Sequence, residues 1–396
     1  MDAEHKTVAN SELCCGCGAC ANICHKRAIV LSQDKQGFYV PQIDRKKCIE
    51  CGLCKKVCPI GRKSELEEPV FVPEVYAAYS KDGSVKRQST SGGVFSVLAN
   101  HTLSKNGIVY GAAFDENLTV RHIGIRTKSD LPKLRGSKYV QSFISDNIFV
   151  EIKNELLRGT PVLFTGTPCQ VAGLKFFLGH NYDNLLTVDL ICHGVPSPKV
   201  FEEYLKDLEL EYGKISSYKF RDKQHGWTHP NVEFCANGKI YHIPYGLDYF
   251  IGLFGKSTIR TSCYSCEYAS SKRISDITVG DFWGFVQTGS MVDDNTGISC
   301  LICNTAYGKE CFDMLKDDFV YEKRTFEEVA RKNPRLSSPR EYHSNNFWDE
   351  FLTSGFRETK KKFLKITFIN KTVVFLRIYF PFVYKLLYNI RNKLKK

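Results

Sequence analysis

Nine cysteines in the first 58 residues stand at spacings suited to iron chemistry. They read Cys14-x-x-Cys17-x-x-Cys20-x-x-x-Cys24, then Cys48-x-x-Cys51-x-x-Cys54-x-x-x-Cys58-Pro59. Three thiolates at i, i+3 and i+6 can wrap one [4Fe–4S] cubane from a single loop. The fourth, four residues on, points away and ligates the other cluster of a pair. This assigns Cys14, Cys17, Cys20 and Cys58 to one cluster, and Cys48, Cys51, Cys54 and Cys24 to the second. Zinc prefers two Cys-x-x-Cys pairs in a tetrahedral site, which two successive quartets do not resemble. Cys15 is out of register and reads as a bystander.

Eight more cysteines follow. Cys169 in TGTPCQ and Cys192 in DLICHG each come directly after an apolar run that reads as a strand. If those strands are parallel, both thiols lie at one carboxyl edge of a sheet, where α/β proteins place cofactors. The loop pair Cys263-x-x-Cys266 could close a third [4Fe–4S] set. The rival is zinc on Cys263, Cys266, Cys300 and Cys303. On a strand, however, residues three apart face opposite sides, so Cys300 and Cys303 share a metal poorly. Cys235, Cys300, Cys303 and Cys311 otherwise read as small buried apolar residues.

The elements that must position these thiols follow in order. Residues 1–65 form a small two-cluster ferredoxin-type module, with a hairpin over 28–32 and 37–41. A charged linker spans 66–74. Strands are expected at 75–80, 107–114, 161–165 and 185–192, with helices at 94–104, 171–178 and 199–212. Strand–helix–strand spacing implies βαβ units and a mostly parallel sheet. A mixed β region runs over 216–303, and 305–334 reads as helical and polar. The expected fold is α/β (α+β) and multidomain: the module, then a mixed α/β body in two regions, 75–158 and 159–335, then a tail at 336–396.

Several shorter stretches could bind a cofactor. STSGG, ending Ser91, Gly92, Gly93, opens a helix whose N–H groups and dipole favour a phosphate; Ser89 or Ser91 is the expected N-cap. RGSKY adds Gly136, Ser137, Lys138 and Tyr139. RDKQHGWTH (221–229) concentrates cations, two histidines and Trp227, and DITVGDFWG (276–284) places Asp281 and Trp283 after a strand. No Ser/His/Asp set, P-loop or HExxH is present, so hydrolase and kinase readings have no support.

QSTSGGVFSVLA, RGSKYVQS, VLFTGTPCQVAGL, ICHGVPS, CYSCEYA and SDITVGDFWG, with the N-terminal quartets, resemble the coenzyme F-420 hydrogenase/dehydrogenase beta-subunit family over roughly residues 10–330. The resemblance implies an iron–sulfur flavoprotein: FAD in the body, with STSGG and RGSKY near it, beside one cubane. The family's core cysteines correspond to Cys169, Cys192, Cys263 and Cys266. It implies an oxidoreductase passing electrons between clusters and a flavin that exchanges hydride with a deazaflavin-like or other conjugated substrate. The alternative is an electron-transfer subunit serving a partner enzyme.

Charge locates the remaining feature. The chain of 396 residues carries net +12, yet residues 360–396 hold eleven basic and no acidic residues. The rest is therefore close to neutral (12 − 11 = +1), which argues against a nucleic-acid partner. The cubane spacing and a polar first decade with no signal peptide point to a reducing cytoplasm. The tail mixes aromatics with cations. It suits a peripheral membrane surface better than a span, the other option being docking on its own body or on a partner.

Overall fold

The computed structural model describes residues 12–66, 71–254, 257–343, 345–380, 382–384 and 387. The first eleven residues, part of the linker, and Pro381 and Lys385 of the tail lie outside them. In the module, β1 (Ile29–Gln33) and β2 (Tyr39–Ile43) form the expected antiparallel hairpin between the cysteine loops. Gly18 and Gly52 take left-handed conformations (φ 79° and 76°) at the starts of the short helices Ala19–Ile23 and Leu53–Lys56. A side chain would be strained there.

The body's main sheet contains β3 (Glu74–Ser80), β4 (Ile108–Phe114), β5 (Val120–Ile125), β6 (Val162–Gly166) and β7 (Leu185–Leu190). A separate antiparallel sheet follows, of β8 (Ile215–Asp222), β9 (Asn231–Ala236) and β10 (Lys239–Pro244). The main sheet resumes with β11 (Ile277–Asp281), β12 (Ser299–Cys303) and β13 (Phe319–Arg324), in the order β13-β3-β12-β11-β7-β6-β4-β5. The pairs β4/β6, β6/β7 and β7/β11 are parallel. Both flanks are antiparallel.

The expectation of a mostly parallel sheet is thus corrected to a parallel centre with antiparallel flanks. The cause is connection length. β4 returns to β5 through a turn in which the Asp115 carboxylate accepts from the Asn117 and Thr119 N–H groups, and so short a link can join only antiparallel strands. Residues 305–334 also differ from expectation. Helix Ala306–Leu315 gives way to β13, which pairs with β3.

Alternate residues of the central strands face opposite layers, as a pleated strand requires. Val109 and Leu163 pack with helices Val94–Ser104 and Ala306–Leu315. Ile108, Tyr110, Val162 and Phe164 pack with helices Ile148–Leu157 and Pro168–Leu178. The second layer also takes in Cys17, Ala19 and Val57, so the module shares a hydrophobic core with the body. A Cβ on Gly173 would lie 2.8 Å from the Cβ and Sγ of Cys17, so only glycine admits this approach.

The tail divides. Helix Phe347–Phe363 buries Phe347, Phe351 and Phe356 in the aromatic core around helix Pro198–Tyr212, and Arg357 and Lys360 reach Asp207. This part belongs to the body. Helix Phe368–Tyr379 leaves Phe368 and Ile369 82% and 72% exposed. Among the described residues, no helix is long and apolar enough to cross a membrane.

Candidate functional site

The two quartets gather as spacing predicted. Cys48, Cys51 and Cys54 share one small cavity with Cys24, the distant member, and Ala28 N–H donates to the Cys24 sulfur at 3.3 Å. Cys14, Cys17, Cys20 and Cys58 lie together on the side facing the body. Burial pushes the Cys20 thiol up, and the neighbouring Cys14 and Cys58 sulfurs add to it. Gly16 N–H donates to the Cys14 sulfur at 3.3 Å. Backbone donors of this kind stabilise electron-rich sulfur and tune cluster potentials.

In the body, β6 and β7 are parallel neighbours, so Cys169 and Cys192 leave the sheet at one edge. Cys169 opens helix Pro168–Leu178, where Thr167 and Gln170 form a capping box. Cys192 follows β7 by two residues. The turn Thr261–Ser265 brings Cys263 and Cys266 opposite. All four thiols line one cavity, together with Cys15. Burial pushes Cys263 up to about 12 and Cys266 up to about 11, with the Cys169 sulfur adding to both. Thiols that repel one another's anions in a buried site suit a cationic multi-iron centre.

Their spread also bears on which metal. Among the described residues, no three cysteine sulfurs converge within 4.8 Å. A single zinc at Zn–S ≈ 2.3 Å would need such convergence, whereas a cubane separates its thiolates further. The zinc rival also fails on Cys300 and Cys303, which pack in different core layers. Cys300, Cys303 and Cys311 are buried as expected, but Cys235 is only half-buried.

Hydrogen bonds tie the cavity wall to the module. Arg260 donates to the carbonyls of Cys14 and Tyr39, at 2.5 and 3.0 Å, and Ser262 donates to Cys14 at 2.9 Å. Tyr268 donates to the Pro59 carbonyl at 2.9 Å. Gln141 accepts from Tyr39 N–H at 2.9 Å, and Asn22 links the module to Ser145 and Phe149. Arg273 fastens the far wall. It pairs with Asp189 at 2.8 Å, both side chains nearly fully buried, and donates to the carbonyls of Leu190 and Tyr268. The sequence reading missed Arg260, Arg273 and Gln141, because partners so distant in the chain leave no local pattern.

The structure brings STSGG and RGSKY together. Ser137 N–H donates to the Thr90 hydroxyl at 3.0 Å, and Arg135 donates to the Ser96 hydroxyl at 3.1 Å. The N-cap of helix Val94–Ser104 is Gly93, left-handed and without a side-chain cap. Ser89 and Ser91 are instead bonded to the Val85 and Ile298 carbonyls, which corrects the expected cap. Gly92 is needed for a reason other than phosphate approach: a Cβ there would meet the Ala78 carbonyl at 2.4 Å. Gly136 is open, with φ +81°. Lys138, pushed down to about 7 by burial, donates to the Lys133 and Arg135 carbonyls. Tyr139 packs on Phe220 and Phe254.

The other two motifs converge beside these loops. Arg221 forms a buried ion pair with Asp281, and Trp227 stacks on Trp283 at 4.6 Å while donating to Asp281. Burial alone would lower Arg221, but Asp281 outweighs it and holds the guanidinium charged. Lys223 donates to the carbonyls of Lys86, Ser91 and Thr296, tying the STSGG loop to this wall.

Residues 159–329 match the family described as the C terminus of the coenzyme F420 hydrogenase/dehydrogenase beta subunit, and residues 13–61 match the 4Fe-4S dicluster domain. The chain belongs to the F420 hydrogenase/dehydrogenase beta-subunit family, with an N-terminal 4Fe–4S dicluster domain. It is an iron–sulfur electron-transfer protein of that family. A chain of the F420-reducing [NiFe] hydrogenase complex from Methanosarcina barkeri is similar at 17% identity, covering 75% of this chain and 93% of that chain, with a TM-score of 0.43. That likeness is too low to carry an argument. No curated protein matches the chain.

Proposed function

We propose that this protein is an iron–sulfur flavoprotein oxidoreductase of the F420 dehydrogenase type, with three [4Fe–4S] centres and FAD. The observation that carries the reading is the body cavity: Cys169, Cys192, Cys263 and Cys266 gather at the sheet edge against the module's Cys14 and Pro59 segments. Clusters supply one-electron steps, and a flavin links such steps to hydride exchange.

The chain's own residues set the order. Cys24, Cys48, Cys51 and Cys54 hold the outer centre, where Cys51 is exposed. Cys14, Cys17, Cys20 and Cys58 hold the next, and the body thiols hold the third. Arg260, Ser262 and Tyr268 fix the spacing between the last two. The uncapped N-terminus at Gly93, with Arg135 and Lys223 beside it, fits a flavin phosphate. Ser91, Gly92, Gly136, Ser137, Lys138 and Tyr139 build the two loops around it. The substrate is a deazaflavin or another conjugated molecule, and the outer centre faces a redox partner protein.

In this reading, residues 1–65, 75–158 and 159–335 are the functional regions. The aromatic face of helix Phe368–Tyr379, with its cations, suits attachment to an anionic membrane surface. Co-sedimentation with anionic vesicles, lost on truncating residues 360–396, would support that attachment; equal pelleting of both forms would remove it.

The test of the main reading is anaerobic purification followed by reduction with candidate donors, deazaflavin and reduced ferredoxin first. Bound flavin reduced together with the clusters is the expected result. Clusters without flavin would favour the alternative, an electron-transfer subunit with no substrate of its own.

A further inference from the structure

Cys15 is the cysteine of the N-terminal stretch that neither quartet uses, yet it does not face solvent. It lines the body cavity beside Cys169 and packs in the same apolar cluster as Cys17, Cys169 and Cys266. Its thiol is in hydrogen-bond contact with both Cys169 and Cys17. The backbone on either side is clamped. Arg260 and Ser262 hold the Cys14 carbonyl. Gly16 turns the chain at φ +70°, and a Cβ there would meet the Gln141 amide at 2.1 Å. Gly173 lets the helix that carries Cys169 close on Cys17. The Cys15 side chain therefore occupies the seam between the module and the body.

We propose that Cys15 is a positioning residue for electron transfer, its thiol bridging a ligand of the module's inner cluster, Cys17, and a ligand of the body centre, Cys169. This rests on the reading above of those two cysteines as ligands of separate centres. During transfer one electron leaves one centre and arrives at the other. Cys15 remains a thiol, and none of its covalent bonds forms or breaks. Its S–H donates to the Cys169 sulfur. A hydrogen bond to a ligating sulfur stabilises the reduced, more negative centre, and outer contacts of this kind tune potentials.

The test uses the full chain, reconstituted anaerobically, as the parent, Cys15→Ala and Cys15→Ser. Iron per chain is measured first, then midpoint potentials by resonance-monitored titration. Unchanged iron is expected. In Cys15→Ala the body centre's reduction equilibrium should fall at least tenfold, ~59 mV for one electron. Cys15→Ser, which keeps a donor, should shift clearly less. Unchanged potentials, or equal shifts in both variants, would overturn the proposal, equal shifts meaning that packing alone is involved. A loss of about four irons in either variant would also overturn it, by making Cys15 a ligand. If the parent itself holds only the module's iron, the underlying reading fails before any variant is made, and this proposal falls with it.

Discussion

The molecule gathers thiols in two different ways. In the N-terminal module the eight ligand candidates come from one stretch of 45 residues, and left-handed glycines curl each loop around its site. In the body, four thiols come from three segments spread over residues 169–266, and a sheet edge and a buried ion pair bring them together. A site written in local spacing depends on few distant residues. A site written in topology depends on the scaffold. The module should therefore be damaged by changing its own cysteines, and the body site by changes that touch no cysteine.

The module's one non-local feature is the crossing of Cys24 and Cys58, and it gives the largest expected effect. Replacing Cys24→Ser should abolish or transform the centre held by Cys48, Cys51 and Cys54 in paramagnetic resonance spectra. The Cys14 centre should remain. Selective loss of the Cys14 centre would show that each quartet is self-contained.

In the body, Arg273→Met leaves Asp189 buried without its partner, a change that typically costs about 3–5 kcal/mol. Denaturant unfolding should show a loss of this size. Iron loss should fall on the body centre while the module's two signals persist. Equal losses from all centres would mean that the two regions are not separable in this way.

The quartets, the helix at 94–104 and the shared edge of Cys169 and Cys192 were legible in the sequence, because each rests on a short-range period or a strand–helix–strand spacing. β13 was not, since its charged alternation, FVYEKR, reads as a polar helix until β3 is known to lie beside it. The role of Gly92 was also hidden. STSGG has the composition of a phosphate loop, but that glycine is spent on contact with β3 and β12. Cys15 looked idle because its neighbour, Cys169, is 154 residues away. The assembly of RDKQHGWTH with DITVGDFWG around the Arg221–Asp281 pair likewise depends on a sheet that local pattern does not specify.

Smaller effects sharpen the same contrast. His122 lies under the module's seat, with Nδ1 2.7 Å from the Ser142 hydroxyl and Nε2 donating to the Thr165 carbonyl at 3.0 Å. Burial pushes it down to about 4. The unfolded chain takes up a proton near pH 6.5 that the folded chain refuses. Stability from this group is thus full above pH 6.5 and falls as pH drops towards 4. Between pH 7 and 5 the loss should be about 2 kcal/mol, and His122→Gln should remove that slope. A slope unchanged in the variant would assign the pH dependence to other groups.

Arg135→Glu places a carboxylate beside the uncapped helix at Gly93. It should weaken flavin retention by roughly tenfold, about 1.4 kcal/mol, within reach of helix-terminus electrostatics, while iron stays constant. Unchanged flavin binding would remove the phosphate from that loop.

The central claim is that the body holds a cluster of its own behind the module's two. Iron and acid-labile sulfide per chain, measured on the fully reconstituted protein, address it most directly. The account predicts about twelve of each, four per cubane. About eight, with the module's two clusters intact, would contradict it.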